Sequence, residues 1–231
     1  MDLAKELGVA LGPREAAAFE LYLRELAAGN PRAGLTAMEA PDAVRVGHFL
    51  DSLACVASGA LPAGGRLLDV GSGGGFPGVP IRIVRGDLSL TLLESSRRRA
   101  AFLERLLRVL DLTEAVVLEG RAEDWGHRLG VRESFAAVVA RAVAPPAVVL
   151  EYALPFVSPG GVFLAMEGTR GDSAAPEVAA RLGARRESAY EYRLPLGGGP
   201  RRIVIYRKVR PTPAELPRRA GVPSRRPLAG R

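Results

Sequence analysis

The chemistry-bearing residues concentrate in one stretch, Asp69-Val70-Gly71-Ser72-Gly73-Gly74-Gly75-Phe76-Pro77-Gly78. Glycines directly after a strand let the backbone turn sharply and approach a ligand closely. A G-x-G-x-x-G spacing fits Gly73, Gly75 and Gly78, two residues later than the strand end would place it. Counted from Gly71, the third glycine position holds Phe76, so the dinucleotide fingerprint is imperfect. Asp69 is unfavourable beside a pyrophosphate but complements the ammonium group of a methionine moiety. Glu94, 23 residues after Gly71, ends the next strand and can accept hydrogen bonds from both hydroxyls of an adenosine ribose. Ser95, Ser96 and the Arg97-Arg98-Arg99 run superficially suit a ribose 2′-phosphate, which Glu94 would repel. That weakens NADP as the ligand, and the plainer reading of the arginine run is a solvated helix start.

Other reactive side chains are scarce. Cys55 is the only cysteine, which excludes an intramolecular disulfide, a CxxC redox centre and a cysteine-rich zinc site. His48 and His127 are the only histidines and stand far apart, so no metal-binding cluster is visible. Packing or a local hydrogen bond is the plainer role for His48. His127 follows Trp125 in a polar stretch, where a surface position is the default.

Positioning the glycine loop requires a particular order of elements. Residues 14–28 place Phe19, Tyr22, Leu23 and Leu26 at helical spacing, and Pro31 and Gly34 break the pattern. A second amphipathic helix carries Val46, Phe49, Leu50 and Leu53 on one face. Strands are read at Leu67–Val70, Leu88–Glu94, Ala115–Leu118, Phe135–Val143 and Val162–Met166, with Leu103, Leu106, Leu107 and Leu110 marking an intervening helix. This succession predicts an α/β fold with a parallel sheet and helices on both faces. Tyr190–Leu194 and Arg202–Val209, flanking Gly197-Gly198-Gly199-Pro200, read as an antiparallel hairpin. A doubly wound sheet ending in a hairpin fits the Rossmann-like class I methyltransferases, with seven strands, better than dinucleotide dehydrogenases. Three parts are expected: an N-terminal helical cap over residues 1–60, a Rossmann-like domain over 61–209, and a basic Pro/Arg-rich tail over 210–231.

Charge adds a partner. The chain has 231 residues with 48% hydrophobic, enough for one full-sized domain with an appendage. Its 32 basic residues exceed 25 acidic ones by seven, and with Lys5 and Lys208 as the only lysines, 30 are arginine. Residues 210–231 hold six arginines against Glu215, so +5 of the net +7 sits in the tail. With five prolines and little apolar content, that segment is expected to lack structure when alone. No apolar run is long enough to cross a membrane and residues 1–11 lack a signal-peptide pattern, so the simplest location is the cytoplasm.

Asp69 to Pro80 resembles the first motif of the RsmG (GidB) family, the bacterial ribosomal RNA small subunit methyltransferases G. Three further stretches agree: His48-Phe49-Leu50-Asp51-Ser52-Leu53, Ala140-Arg141-Ala142, and Pro217-Arg218-Arg219-Ala220-Gly221-Val222-Pro223 with Pro227-Leu228. The resemblance covers about residues 20–228. It implies methyl transfer from S-adenosyl-L-methionine to N7 of a guanine in the 16S rRNA loop near position 527, on free RNA or the small ribosomal subunit. It also implies that Gly71 and Phe76 line the methionine side, with Asp69, Ser72 and Gly73 in the same loop. Glu94, Ser95 and Ser96 would meet the ribose, Ala122 and Glu123 the adenine, and Arg141 would stand beside the reacting centre. The family usually has Lys-Gly after its fifth strand where this chain has Glu167-Gly168, which puts a basic RNA contact there in question. The family's Trp-Asn before its Leu-Thr is also replaced, around Gly29-Asn30 and Leu35-Thr36.

The chemistry is consistent with these residues. Guanine N7 carries a lone pair and has no proton to lose, so direct displacement needs alignment and water exclusion, and neither a general base nor Cys55. Ala144-Pro145-Pro146-Ala147 falls where amino-group methyltransferases carry Asn/Asp-Pro-Pro-Tyr/Phe/Trp, which disfavours an exocyclic amine. Arg141 is the candidate catalytic residue, since its guanidinium could hold guanine O6 or a phosphate; the competing reading is an ordinary ion pair. Arg218, Arg219, Arg225 and Arg226 are the candidate RNA contacts, on an arm that orders on RNA; a solvated terminus is the alternative. No metal is expected and the chain is expected to act as a monomer. An NADP-dependent reductase and a non-catalytic RNA-binding or ribosome assembly factor are the alternatives.

Overall fold

The expected alternation of strands and helices is present in the computed structural model, which describes residues 3–141, 143–168 and 175–228. Ala142, from the Ala140-Arg141-Ala142 stretch, and residues 229–231 of the tail lie outside them. The N-terminal part comprises α1 (Leu3–Glu6), α2 (Pro13–Ala33), α3 (Pro41–Val44), a π-helical turn (Arg45–Leu50) and α4 (Asp51–Ala57). There follow β1 (Gly65–Val70), α5 (Gly78–Val84), β2 (Leu88–Glu94), α6 (Arg97–Val109), β3 (Ala115–Glu119), α7 (Ala122–Trp125) and β4 (Phe135–Arg141). The chain closes with α8 (Pro146–Ala153), β5 (Val157–Glu167), α9 (Ala175–Arg181), β6 (Ala184–Leu194), β7 (Gly199–Lys208) and α10 (Val222–Arg225).

The seven strands lie in the order β3-β2-β1-β4-β5-β7-β6. β1 to β5 pair in parallel, while β7 runs antiparallel to both β5 and β6. The direction of winding reverses between β1 and β4, and the crevice beyond the carboxyl ends of such a strand pair is where open α/β sheets bind ligands. The register Leu67↔Ala137 and Asp69↔Val139 sets Gly71 and Arg141 on the two sides of that crevice.

Each face of the sheet has its own core. On one, Phe19, Tyr22 and Leu26 of α2 pack with Phe49, Leu53, Phe76 and Leu103. The cap therefore shares its core with the sheet, because its helices alone would leave their apolar stripes uncovered. α2 runs through Pro31 and ends only at Gly34, whose φ of 59° provides the left-handed stop. Asn30 secures the turn: its Oδ1 accepts from the Leu35 and Thr36 N–H groups at 2.8 and 2.9 Å. The break therefore falls at the glycine rather than at the proline.

The opposite core includes Phe135, Leu150, Phe156 and Phe163 together with Leu216 and Leu228 from the tail. The expectation of an unstructured tail is thus corrected: residues 210–228 lie as a strap across this face. Arg132 is the main reason, since Nη1 donates to the carbonyls of Gly126 and Leu216 and Nη2 to those of Thr212 and Pro213, at 2.7 to 3.0 Å. Buried Lys208 anchors the strap's start, with Nζ 3.0 Å from Glu133 Oε1. Proline-rich backbone leaves its carbonyls without helix or sheet partners, and one arginine fork satisfies three of them together with the Gly126 carbonyl.

Replacing Arg132 with Ala leaves those carbonyls without the charged donor and should lower stability by about 2–4 kcal/mol. Urea denaturation should show the loss, and limited trypsin digestion should cut within residues 210–226 of the variant before the rest of the chain. An unchanged midpoint with an intact strap would reject this account.

Candidate active site

Gly71 has φ 74°, and a Cβ there would stand 2.8 Å from Val143 Cγ2, so only glycine fits between β1 and the segment after β4. The loop is held from three sides. Gly71 and Ser72 N–H donate to the Leu93 carbonyl, and Ser72 Oγ donates to the Asp69 carbonyl at 3.0 Å. Glu94, 4% exposed, accepts from Gly73 N–H at 2.9 Å and from Ser96 N–H at 2.7 Å, joining the loop to the start of α6. From the cap, Tyr22 Oη donates to the Gly74 carbonyl at 2.6 Å, and a Cβ on Gly75 would lie 2.5 Å from that hydroxyl.

Asp69 is fully buried at the end of β1. Its Oδ2 accepts from Gly78 N–H at 2.8 Å, while Oδ1 has no hydrogen-bond partner among the described residues. Burial pushes its pKa up to about 7, opposed by the Gly78 N–H and the Arg141 charge. A buried carboxylate oxygen without a donor is costly, and a nearby cationic group lowers that cost.

Arg141 ends β4 and turns its guanidinium to the cap. Nη1 donates to the Gly47 carbonyl at 3.0 Å and to Asp51 Oδ2 at 3.1 Å, and Nη2 donates to His48 Nδ1 at 2.8 Å. Because arginine only donates, His48 Nδ1 is the acceptor and its Nε2–H points to Thr36 Oγ1, 2.6 Å away. The other oxygen of Asp51 accepts from Tyr192 Oη of β6 at 2.6 Å. Phe76 lies beneath, its ring stacked on His48 at 4.5 Å and on Tyr22 at 5.2 Å, with the Arg141 guanidinium carbon 5.1 Å from its centre. Of the two readings of Arg141, the ion pair is present, and three of its N–H bonds serve the cap.

The remaining candidates divide. Ala122 and Glu123 head α7 after β3, but Glu123 is 3% exposed and its Oε1 accepts from Gly221 N–H of the strap at 2.9 Å. Ser95 is exposed and Ser96 half-buried beside Glu94. Arg218 makes a two-pronged bond to fully buried Glu151, Nε to Oε1 at 2.9 Å and Nη2 to Oε2 at 2.7 Å. Its guanidinium is thus engaged internally, and leaving Glu151 would strand a buried carboxylate. Arg219, Arg225 and Arg226 are exposed on the strap. Glu167 is paired with Arg202 across β5 and β7 at 2.8 Å.

Sequence reasoning missed Asp51, Thr36, Tyr22 and Tyr192 as parts of this site. Asp51 carried a signal, an acid between Leu50 and Leu53 on a core-facing stripe. Tyr192 carried none, because its partner lies 141 residues away.

A switch-point crevice with a glycine loop on one strand, an acid on the next and a terminal antiparallel hairpin defines the class I methyltransferase fold. The solved structure of a mutant of MtNAS in complex with S-adenosylmethionine has the same fold, with a TM-score of 0.55, 16% identity, and 83% of this chain and 73% of that one covered. The description rRNA small subunit methyltransferase G (GidB) matches residues 15–191, and the chain belongs to that family. Similar relatives include ribosomal RNA small subunit methyltransferase G of Pelotomaculum thermopropionicum, 40% identical with 97% of this chain and 95% of that one covered. The Symbiobacterium thermophilum protein of the same name is 42% identical, with 96% and 94% covered. The protein is a methyltransferase, and the methyl donor of its family is S-adenosylmethionine. The crevice fits that donor, since Asp69 Oδ1 is buried with no hydrogen-bond partner among the described residues, Glu94 ends the neighbouring strand beside the loop, and Gly71 presents no side chain there.

Burial and the Arg141 charge hold the His48 pKa down to about 4, below its ordinary 6.5. Below 6.5 the unfolded chain takes up a proton that the folded one refuses, so this contribution is full above pH 6.5 and falls as pH drops towards 4. Asp69, with its raised pKa, slopes the opposite way, so the diagnostic is the difference between the chain and a His48→Asn variant, which keeps an acceptor for Arg141. Between pH 7 and pH 4.5 the unaltered chain should lose about 2–3 kcal/mol more than the variant in urea denaturation. Parallel pH profiles would show that His48 is not the group responsible.

Proposed function

We propose that the protein methylates N7 of a guanine in 16S rRNA, near position 527 by the family resemblance, acting as a monomer in the cytoplasm. Among the described residues no helix is long and apolar enough to cross a membrane. The observation that carries the reading is the Asp69–Glu94 glycine loop facing Arg141 across the β1/β4 switch point. In this reading Asp69, Gly71, Ser72, Gly73 and Phe76 form the methionine side, Glu94, Ser95 and Ser96 the ribose side, and Ala122 and Glu123 the adenine side.

When bound, S-adenosylmethionine supplies a methyl group on a cationic sulfonium. The N7 lone pair forms the new C–N bond as the C–S bond breaks, and the positive charge passes to the purine without a proton leaving. This chain's task is then orientation and the exclusion of water. We place the base in the recess of about 210 Å³ where Ala140, Ala144, Pro146, Ala165, Met166 and Glu167 line the ends of β4 and β5. Its apolar floor suits a flat ring. Glu167, the one acid among these, is held by Arg202 and is no free base. Arg141 is a positioning residue: it fixes the Phe76 ring and the end of β4 through the cap. Arg219, Arg225 and Arg226 supply phosphate contacts from the strap.

Labelled methyl groups from the cofactor should appear at guanine N7 when unmodified small-subunit RNA, free or in particles, is the substrate. Label at an exocyclic nitrogen or a ribose oxygen would overturn the N7 assignment. Arg141→Lys keeps the charge beside Asp51 but loses the fork, and should lower kcat about a hundredfold while cofactor affinity changes far less. Undiminished turnover would remove Arg141 from the reaction.

A further inference from the structure

A second basic surface lies on the face of the sheet opposite the strap. α2 and α6 run together there and leave a cleft of about 650 Å³ between them. Glu25, Ala28, Gly29 and Arg32 of α2, spaced three and four apart, face Arg98, Ala101, Phe102 and Arg105 of α6. The floor is narrow and apolar: a Cβ on Gly29 would meet the Phe102 ring at 2.7 Å, so the helices can approach only because that residue is glycine.

The charges on the two walls are uneven. Arg105 is already neutralised by Glu25, with Nε 3.1 Å from Oε2. Arg32 and Arg98 stand on opposite walls, both exposed, and neither has a carboxylate partner among the described residues. Arg97, also exposed, adds a further charge at the same end of α6. On α6 the positions three and four after Arg98 are Ala101 and Phe102, so no acidic helical neighbour pairs it there.

The cleft is also placed to matter. Arg98 follows Glu94 by four residues, so one wall begins at the cofactor crevice. The end of α2 reaches the same place, because the Gly74 Cβ position lies 3.4 Å from the Leu35 carbonyl. A polyanion leaving the crevice on this side meets the cleft next.

We propose that the α2–α6 cleft holds the phosphodiester backbone of the substrate RNA beside the target nucleotide, with Arg32 and Arg98 gripping phosphates from opposite walls. Two planar guanidinium forks suit phosphate oxygens better than a point charge would. The apolar floor of Ala28, Gly29, Ala101 and Phe102 offers a surface for the sugar edges between them. With the strap arginines on the other face, RNA is held on both sides of the crevice. This inference rests on the RNA methyltransferase reading and extends it to a surface outside the pocket and the strap.

The test is the salt dependence of binding to an unmodified small-subunit rRNA transcript, measured for the whole chain and for an Arg32→Gln/Arg98→Gln double variant. Both residues are exposed, so folding should be retained, as an unchanged urea midpoint would confirm. Loss of two phosphate contacts should reduce the slope of log affinity against log salt by about 1.4 and weaken binding roughly tenfold at low salt. S-adenosylhomocysteine affinity should not change. Arg14→Gln removes an exposed charge at the far end of α2, about 27 Å away along the helix, and should leave the slope as it was. Equal affinity and slope in the double variant would overturn the cleft, and so would an equal drop in the Arg14→Gln control. If the unaltered chain neither binds nor methylates the RNA, the functional reading itself fails, a result the variants would not produce.

Discussion

The ion pair between Arg141 and Asp51 is the interaction on which the rest of the site depends. It joins the end of the fourth strand to the cap, with side-chain exposures of 15% and 8%. Two charges at that depth carry a desolvation cost that pairing alone does not reliably offset, so the surrounding hydrogen bonds decide whether it is tolerable. Here they are nearly complete: Gly47 and His48 accept from the guanidinium, and Tyr192 donates to the carboxylate. The π-helical turn at Arg45–Leu50 widens the helix where Gly47 and His48 must both face Arg141. Such turns interrupt regular α-helix where a site needs a particular pair of groups aimed one way.

From that junction the glycine loop inherits its shape. Phe76 stacks with both Tyr22 and His48, and Tyr22 in turn bonds the Gly74 carbonyl. The loop is thus clamped by the cap above and by Glu94 and Asp69 below. On the other face the strap reaches Glu123 and Glu151 through Gly221 and Arg218. Cap and strap together make the edge of the sheet rigid, which is what alignment of a nucleophile with a methyl donor demands.

Arginine therefore does two kinds of work in this chain. Arg132, Arg141, Arg202 and Arg218 are fixed internally, on carbonyls or on poorly exposed carboxylates. Arg32, Arg97, Arg98, Arg219, Arg225 and Arg226 stay at the surface, on both faces around the crevice. The guanidinium suits both, because a planar five-donor fork serves backbone, carboxylate and phosphate alike. Net charge counts these groups equally, although only the second kind is available to a polyanion.

Strand and helix patterning specified the sheet and the glycine loop, and the motifs shared with the RsmG family carried the choice of cofactor. Those features are short-range: strand periodicity and the glycines after a strand are read within single elements, and the acid at the next strand end follows Gly71 by 23 residues, one β-α-β unit on. Arg141 was marked through the Ala140-Arg141-Ala142 stretch, which resembles the family's. What Arg141 touches was decided only by tertiary structure, since Asp51 lies 90 residues away and Tyr192 reaches it from the hairpin. The tail shows the same division. Its charge and proline content described an arm without structure when alone, but Arg132 and the buried acids Glu123 and Glu151 supply partners that composition cannot reveal. Local pattern specifies elements, whereas pairing of buried polar groups over long sequence separations is settled only when the chain closes on itself.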